Sequence, residues 1–507
     1  MSSANGEGRS WSSDASCRRP LRRPRRFGAL SGAAGLVAVA GLALPTGALA
    51  QTNFRAASNY PAGSNPVALV AEDFNGDLDL DLAVANRSSN NVKVELGDVA
   101  GDFVPMGIPD AGDAPSSVAV GKFNADSDPD LAVANSTSDK VSILLGGAGY
   151  SFLPNDYSFD AGDGPASVAV GDFNLDSHPD LAVADKNSGH VSVLLGQEEP
   201  QGVAVSFRAR TEVAVGSEPS SVAVGYFDGN SIPDLVVANT GSDNVSVLLG
   251  NGSGGFNPAS KPTYAAGFRP SSVAVGDFDG DNRADDFAVA SAAFDNLWVR
   301  HGKNDGTFDD GTTYGVGGEH SSPSSVTVGD VNGDPFDDLA VANSGSNNVA
   351  VLMGAPGGYF ARAATYPAGM GPHGVAVGDF DNDDDQDLAV ANETSNDVSV
   401  LLNNRAPTAA ADSYATTQDK RLDVSAPGVL GNDKDPEATG YWGGDELTAA
   451  LAAGPEHGTL TLNTNGSFDY NPAAGYTGSD SFKYTVSDGH GGWNVGTVTI
   501  TVHAPGA

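Results

Sequence analysis

Asp379, Asp381, Asp383, Asp385 and Asp387 take the odd positions of one nine-residue stretch that has no basic residue in it. Two unit charges about 4 Å apart repel by about 1 kcal/mol in water and by about 4 kcal/mol at an effective dielectric near 20. Several such pairs in a short loop call for a counter-charge. A hard divalent cation supplies it, and calcium takes six to eight oxygen ligands from Asp, Asn, backbone carbonyls and water. The stretch reads as a calcium loop.

The loop occurs seven times, starting at Asp73, Lys122, Asp172, Tyr226, Asp277, Asp330 and Asp379, a period of about fifty residues. Position three is always Asn or Asp: Asn75, Asn124, Asn174, Asp228, Asp279, Asn332 and Asp381. Position five is Asp77, Asp126, Asp176, Asn230, Asp281, Asp334 and Asp383. Position nine is Asp81, Asp130, Asp180, Asp234, Asp338 and Asp387, with Asp285 or Asp286 in the fifth copy, where one residue is inserted; Asp285 is taken as its ligand. Position seven is Asp79, Asp128, His178, Ile232, Arg283, Phe336 and Asp385, a set no side-chain chemistry unites, so a backbone carbonyl is the expected ligand there. The copies at Lys122 and Tyr226 lack the first carboxylate, which makes Asn124, Asp126, Asp130, Asp228, Asn230 and Asp234 a weaker ligand set, with the Lys122 ammonium occupying part of the charge well. An EF-hand is excluded, because Val84 stands at the twelfth position of the first copy.

Other chemistry is poorly represented. Paired carboxylates could serve a glycosidase, but the repeated loop already accounts for them. The eight histidines form no His-Glu-x-x-His motif, and no Gly-x-Ser-x-Gly elbow or phosphate-binding Gly-Lys-Ser/Thr loop is present. One polar turn departs from the others with Phe294 and Trp298, aromatics that could stack on a sugar or pack between sheets.

The elements that must position the loops are strands. In the third copy Ser167 to Gly171 alternates large and small residues before the loop, Leu181 to Ala184 follows it, and Val191 to Leu195 forms a third strand after a polar turn. Large residues on one face and small ones on the other suit a sheet packed on both sides. A less regular fourth strand carries aromatics, and a proline seven residues before each loop marks the start of the first strand. Four-stranded units at this period predict a seven-bladed β-propeller. The seventh copy stops at Asn404 without a fourth strand, while Phe54 to Gly63 matches Phe360 to Gly369 of the sixth copy, so the N-terminal segment is expected to close the ring. From 409 to 503 short period-two runs flank Asn465-Gly466, which predicts a β-sandwich. The whole is all-β: a signal at 1–50, a propeller at 51–403, a linker at 404–408 and a sandwich at 409–503.

The run Val-Gly-Asp-Phe-Asn, an acidic loop, then Pro-Asp-Leu-Ala-Val-Ala-Asn resembles the FG-GAP or VCBS repeats of bacterial surface proteins, which are similar to the calcium-binding blades of integrin alpha subunits. The resemblance spans about residues 54 to 403 and implies a propeller with calcium in the hairpin between the first two strands. The C-terminal wording, from Asp412-Ser-Tyr414 through Asp433-Lys-Asp435-Pro-Glu437 to Asp480-Ser-Phe-Lys-Tyr484, resembles bacterial cadherin-like, Ig-like modules, with Ala438 to Gly444 interrupting its acidic stretch.

With 64 acidic and 26 basic residues the chain has a net charge of -38, which disfavours nucleic acid and anionic membranes and favours cations. The first fifty residues run the other way: six arginines between Arg18 and Arg26 precede an apolar run from Phe27 to Leu44, and Ala48-Leu-Ala50 ends it. That order predicts a Sec or twin-arginine signal. Cys17 lies within it, so the mature chain has no disulfide, no thiolate zinc site and no expected transmembrane span. These features together favour a secreted or cell-surface, non-enzymatic, monomeric calcium-binding scaffold that contacts a glycan or protein. A hydrolase or lyase acting on an extracellular polymer, or a structural envelope module, is the alternative. N-terminal sequencing of exported protein should start at Gln51; a mature form retaining the arginines would contradict the signal.

Overall fold

The computed structural model describes residues 54–506 apart from 125, 148–151, 153–156, 198–204, 384, 405, 436–445, 490 and 491. The expected signal and the insertion Ala438 to Gly444 lie outside the described residues. No helix among the described residues is long and apolar enough to cross a membrane.

Each repeat folds into a four-stranded antiparallel sheet, and seven such sheets precede residue 402. In the first, Pro66–Glu72 pairs with Asp81–Asn86, that strand with Asn91–Gly97, and the last with Phe103–Gly107. The proline opens the first strand of every sheet and is followed at once by a register shift, where the ladder skips one residue. The first strands adjoin one another in sequence, and the seventh adjoins the first. The ring is therefore a closed β-propeller.

Its core follows from the alternation of large and small residues. Every second strand is buried along its whole length. The small face of one blade, such as Ala83 and Ala85, packs on the large face of the next, Leu131 and Val133. The pattern repeats around the ring until Ala389 and Ala391 of blade seven meet Leu82 and Val84 of blade one. Uniformly large residues would hold the blades apart, and uniformly small ones would leave voids. Serine hydroxyls add links between first strands: Ser116 Oγ donates to Pro165 O at 2.7 Å, and Ser271 and Ser324 repeat the bond to Pro323 O and Pro372 O. At the closing junction His373 takes this place, with Nδ1 2.8 Å from Val67 O.

The closing strand is Ser58–Pro61, which pairs antiparallel with Asp397–Leu401 as the outer strand of blade seven. Just before it, buried Phe54 packs beside Val331 of blade six, with its ring 4.9 Å from that of Tyr366. In the other blades an aromatic near the fourth strand meets the phenylalanine at loop position two of the preceding blade, as Phe256 meets Phe173 at 5.3 Å and Phe308 meets Phe227 at 5.3 Å. Phe54 fills that place in blade seven.

The C-terminal domain has two sheets around a core of Phe468, Tyr470, Phe482, Tyr484, Val498 and Ile500. Asn465-Gly466 turns the chain between Gly458–Leu462 and Phe468–Pro472, and Gly466 takes φ +80°, a value the glycine adopts without strain. The outer strand Asp412–Thr417 runs parallel to Trp493–His503.

Deleting residues 54–63 removes the closing strand and the Phe54 contact. Losing a buried phenylalanine alone costs about 3 kcal/mol or more, and the bared edge of Asp397–Leu401 invites pairing between chains. The truncated protein should melt earlier and aggregate; unchanged melting and solubility would contradict closure by this strand.

Candidate metal centre

Each acidic loop connects the first and second strands of a blade, so all seven lie at the same end of the strands. Within a loop the odd-numbered side chains turn back on the backbone. In blade one Asp73 accepts from the N–H groups of Gly76 at 2.6 Å and Leu78 at 2.9 Å. Asn75 Oδ1 accepts from Asp77 N at 2.8 Å, and Asp77 Oδ1 from Asp79 N at 3.0 Å. Blade three repeats the scheme through Asp172, Asn174 and Asp176.

Position seven enters through its backbone. The N–H of Asp79, Asp128, His178, Ile232, Phe336 and Asp385 donates to the position-five side chain of its own loop. That contact accepts any residue type, which explains the mixture. Arg283 differs, with Nη1 3.4 Å from Asp281 Oδ2.

Position nine has a role the sequence did not disclose. Asp81, Asp130, Asp180, Asp234, Asp286, Asp338 and Asp387 are all buried. In each, one carboxylate oxygen accepts from the N–H at loop position two and the other from an N–H at the end of the third strand or just beyond it. Asp130 Oδ2 to Phe123 N is 2.7 Å and Oδ1 to Gly146 N is 2.9 Å. The pair is 2.7 and 2.8 Å for Asp234, and 2.7 and 2.6 Å for Asp387. This carboxylate clamps the loop to the third strand. In the fifth copy it is Asp286, bonded to Phe278 N and Gly302 N at 2.8 Å each, so Asp285 does not hold position nine. The inserted residue pushes Asp285 one place ahead of the strand Asp286–Ser291.

The loops differ in how they gather oxygens. Single carboxylate oxygens of Asp277, Asp279 and Asp286, and of Asp379, Asp381 and Asp387, lie within 4.8 Å of one another. Asp285 Oδ2, Asp381 Oδ1 and Asp383 Oδ2 are buried with no hydrogen-bond partner. Bare carboxylate oxygens facing other carboxylates fit a cation, and all-oxygen donors fit a hard one such as calcium. Elsewhere among the described residues no comparable cluster of three forms. Lys122 is exposed and forms no ion pair among the described residues; it lines a cleft of about 300 Å³ with Glu72, Asp73 and Asp128, between the first two loops. Adjacent loops also touch, with Asp277 N donating to Asp337 Oδ2 at 2.9 Å and Asn382 Nδ2 to Asp79 Oδ1 at 2.5 Å.

Phe294 and Trp298 belong to different environments. Phe294 is exposed and lies 6.1 Å from exposed Phe268, whereas Trp298 packs against the core between blades four and five. In the C-terminal domain Tyr484 Oη donates to Asp433 Oδ2 at 2.8 Å and lies 3.3 Å from Asp412 Oδ2, which draws two carboxylates of the acidic wording together.

Burial raises the clamp carboxyls, to about 6 for Asp81, Asp130, Asp180 and Asp234 and to about 7 for Asp286 and Asp338. The unfolded groups titrate near 3.8, so between about pH 4 and pH 7 the folded chain binds more protons and its stability falls as pH rises. Calcium-depleted protein should therefore be more stable to urea at about pH 5 than at about pH 7.5. The opposite order would contradict buried, desolvated clamps.

The FG-GAP-like repeat family matches residues 73–133, 122–183, 226–285 and 330–390, each match starting on one acidic loop and reaching the next. The bacterial cadherin-like domain family matches residues 404–504. Both are domain types typical of extracellular or cell-surface proteins. A comparison with curated proteins finds no match. Among solved structures, BBS1N in complex with ARL6DN is similar at 16% identity, covering 69% of this chain and 96% of that one, with a TM-score of 0.46. Virginiamycin B lyase from Staphylococcus aureus is similar at 13% identity over 69% of this chain and 99% of that one, with a TM-score of 0.47. A putative 6-phosphogluconolactonase from Bacteroides fragilis is similar at 11% identity over 68% and 91%, also with a TM-score of 0.47. Likenesses at this level say nothing of activity. The chain thus belongs to the proteins that carry FG-GAP-like repeats, here within a β-propeller, followed by a bacterial cadherin-like domain.

Proposed function

We propose that this protein is a secreted or cell-surface scaffold whose propeller is stiffened by calcium on one face and presents a surface to an extracellular glycan or protein. The observation that carries the metal reading is the set of buried, unpartnered oxygens on Asp285, Asp381 and Asp383 beside the carboxylate clusters of loops five and seven. Burial and the neighbouring Asp383 push Asp381 up to about 7, the mark of a loop with too much negative charge for its surroundings.

Asp277, Asp279, Asp281, Asp285 and Asp286 would hold the ion in blade five, and Asp379, Asp381, Asp383, Asp385 and Asp387 in blade seven. Asp73, Asn75 and Asp77, Asp172, Asn174 and Asp176, and Asp330, Asn332 and Asp334 form the corresponding sets in blades one, three and six. Calcium would supply positive charge and a rigid oxygen frame there. The chain's own residues do the rest: position-nine carboxylates fix the loop to the sheet, and position-seven N–H groups orient the position-five side chains. The loops at Lys122 and Tyr226, without the first carboxylate, are the weaker or vacant sites. A structural role accounts for ligands repeated around the whole ring, where an active site would concentrate them in one place.

Calorimetric titration of the chelated protein should give about five ions per chain, since ligand number and charge set affinity. Calcium should raise the melting temperature by mass action. Asp379→Ala should reduce that gain, while Lys122→Ala should leave it nearly unchanged. No calcium binding, or equal losses from the two substitutions, would overturn the reading.

A further inference from the structure

At the end of the ring opposite the acidic loops, the seven blades surround a cavity of about 590 Å³. That size suits a saccharide of a few units or another small ligand. Its lining reverses the charge of the chain. Arg87, Lys186 and Arg269 face it, beside a His373 that burial keeps neutral, and no aspartate or glutamate is among its lining residues, although acids outnumber bases 64 to 26 overall. Arg87 is partly engaged, with Nη1 3.6 Å from Glu393 Oε1. Lys186 and Arg269 have no ion-pair or side-chain hydrogen-bond partner among the described residues. The wall between them is rigid, because the Ser116, Ser220, Ser271 and Ser324 hydroxyls are held by carbonyls of the next blade.

Arg269 sits at the left-handed position before the blade's proline, with φ +56°, a conformation shared by Asn65, Ala114, Glu218 and Ser322 at the same place and by Gly164 and Gly371 in blades three and seven. Beside it Phe268 is 49% exposed and, across the turn, Phe294 is 60% exposed, with ring centroids 6.1 Å apart. The aromatic pair belongs to the same blade end as Arg269, which lines the cavity, so an apolar face and a cation lie on one surface although the rings are not themselves part of the cavity wall. A sugar bearing a carboxylate or sulfate offers the matching pair: a C–H face and a negative group.

We propose that this mouth binds an anionic saccharide, its charged group among Arg87, Lys186 and Arg269 and its ring against Phe268 and Phe294. The inference names a ligand class for the scaffold reading and rests on it only for the extracellular setting; the metal loops lie at the other end of the strands. The overall negative charge of the protein makes the mouth selective, since anions are repelled elsewhere on its surface.

The test is calorimetric titration of the calcium-loaded full chain with three hexasaccharides: chondroitin sulfate, hyaluronan, which carries carboxylate alone, and neutral chitohexaose. At least one charged oligomer should bind about tenfold or more tighter than the neutral one, and its affinity should fall between about 50 and 500 mM salt as the charges are screened. Chondroitin sulfate binding alone assigns the sulfate; binding of both assigns the carboxylate. Lys186→Gln and Arg269→Gln should each weaken binding several-fold with the melting temperature unchanged, and Phe294→Ala should weaken the saccharide without altering calcium stoichiometry. Absence of binding, equal binding of chitohexaose, indifference to both charge substitutions, or tighter binding of a polyaspartate peptide would overturn the proposal. Calcium-dependent melting retained alongside such a result would leave the scaffold reading standing and sink this inference alone.

Discussion

One buried carboxylate in each blade holds the acidic face together. It accepts one N–H from the loop and one from the chain at or just past the end of the third strand, and so decides where the loop sits relative to its own sheet. Leaving those two buried donors unmatched would cost about 1 to 3 kcal/mol apiece. Burying the charge is itself unfavourable, as the raised pKa values show, so the clamp stabilises only because both oxygens are satisfied. A loop so anchored can carry further carboxylates at positions one, three and five without swinging free of the ring.

The two ends of the strands consequently differ. At one end negative charge is concentrated at fixed intervals. At the other, hydroxyls, amides and a few cations surround the axis. There the buried Asn86, Asn239 and Asn392 near the close of the second strand bond the blade connections or the neighbouring turn, as in Gly63 N to Asn86 Oδ1 at 2.9 Å and Gly216 N to Asn239 Oδ1 at 3.1 Å. Each blade is pinned by a side chain at both ends, and the space between is filled by alternating Val or Leu and Ala. Rigidity is thus distributed around the ring, which suits a protein with no cysteine among its described residues.

Much of this is written in the repeat. The fifty-residue period, the proline before each first strand, the large and small alternation and the match of Phe54 to Phe360 lead to a closed all-β ring, because each is a local rule applied many times. Position nine has a second role that its residue type does not reveal: a carboxylate that clamps backbone N–H groups looks the same in a sequence whether or not it also joins a carboxylate cluster, as Asp286 and Asp387 do in loops five and seven. The usable signal was its persistence in the Lys122 and Tyr226 copies, where the first ligand is gone but Asp130 and Asp234 remain. Choosing Asp286 over Asp285 needed the strand register. The pairing of Phe268 with Phe294 follows from the strand register of blade five, where Pro270 lies opposite Ser291, and the convergence of Arg87, Lys186 and Arg269 depends on the ring that brings three blades around one axis. Trp298 is half-buried for the same reason, since the neighbouring blade covers it.

The separation of clamp from metal ligand is best tested in blade two, where Lys122 has replaced the first carboxylate. Urea unfolding of Asp130→Ala and Asp126→Ala, each with calcium and with chelator, measures it directly. Asp130→Ala should lose about 2 to 5 kcal/mol in both conditions, because two buried N–H groups lose their acceptor whether or not an ion is bound. Asp126→Ala should lose much less. Equal losses, or an Asp130→Ala loss seen only with calcium, would contradict the clamp.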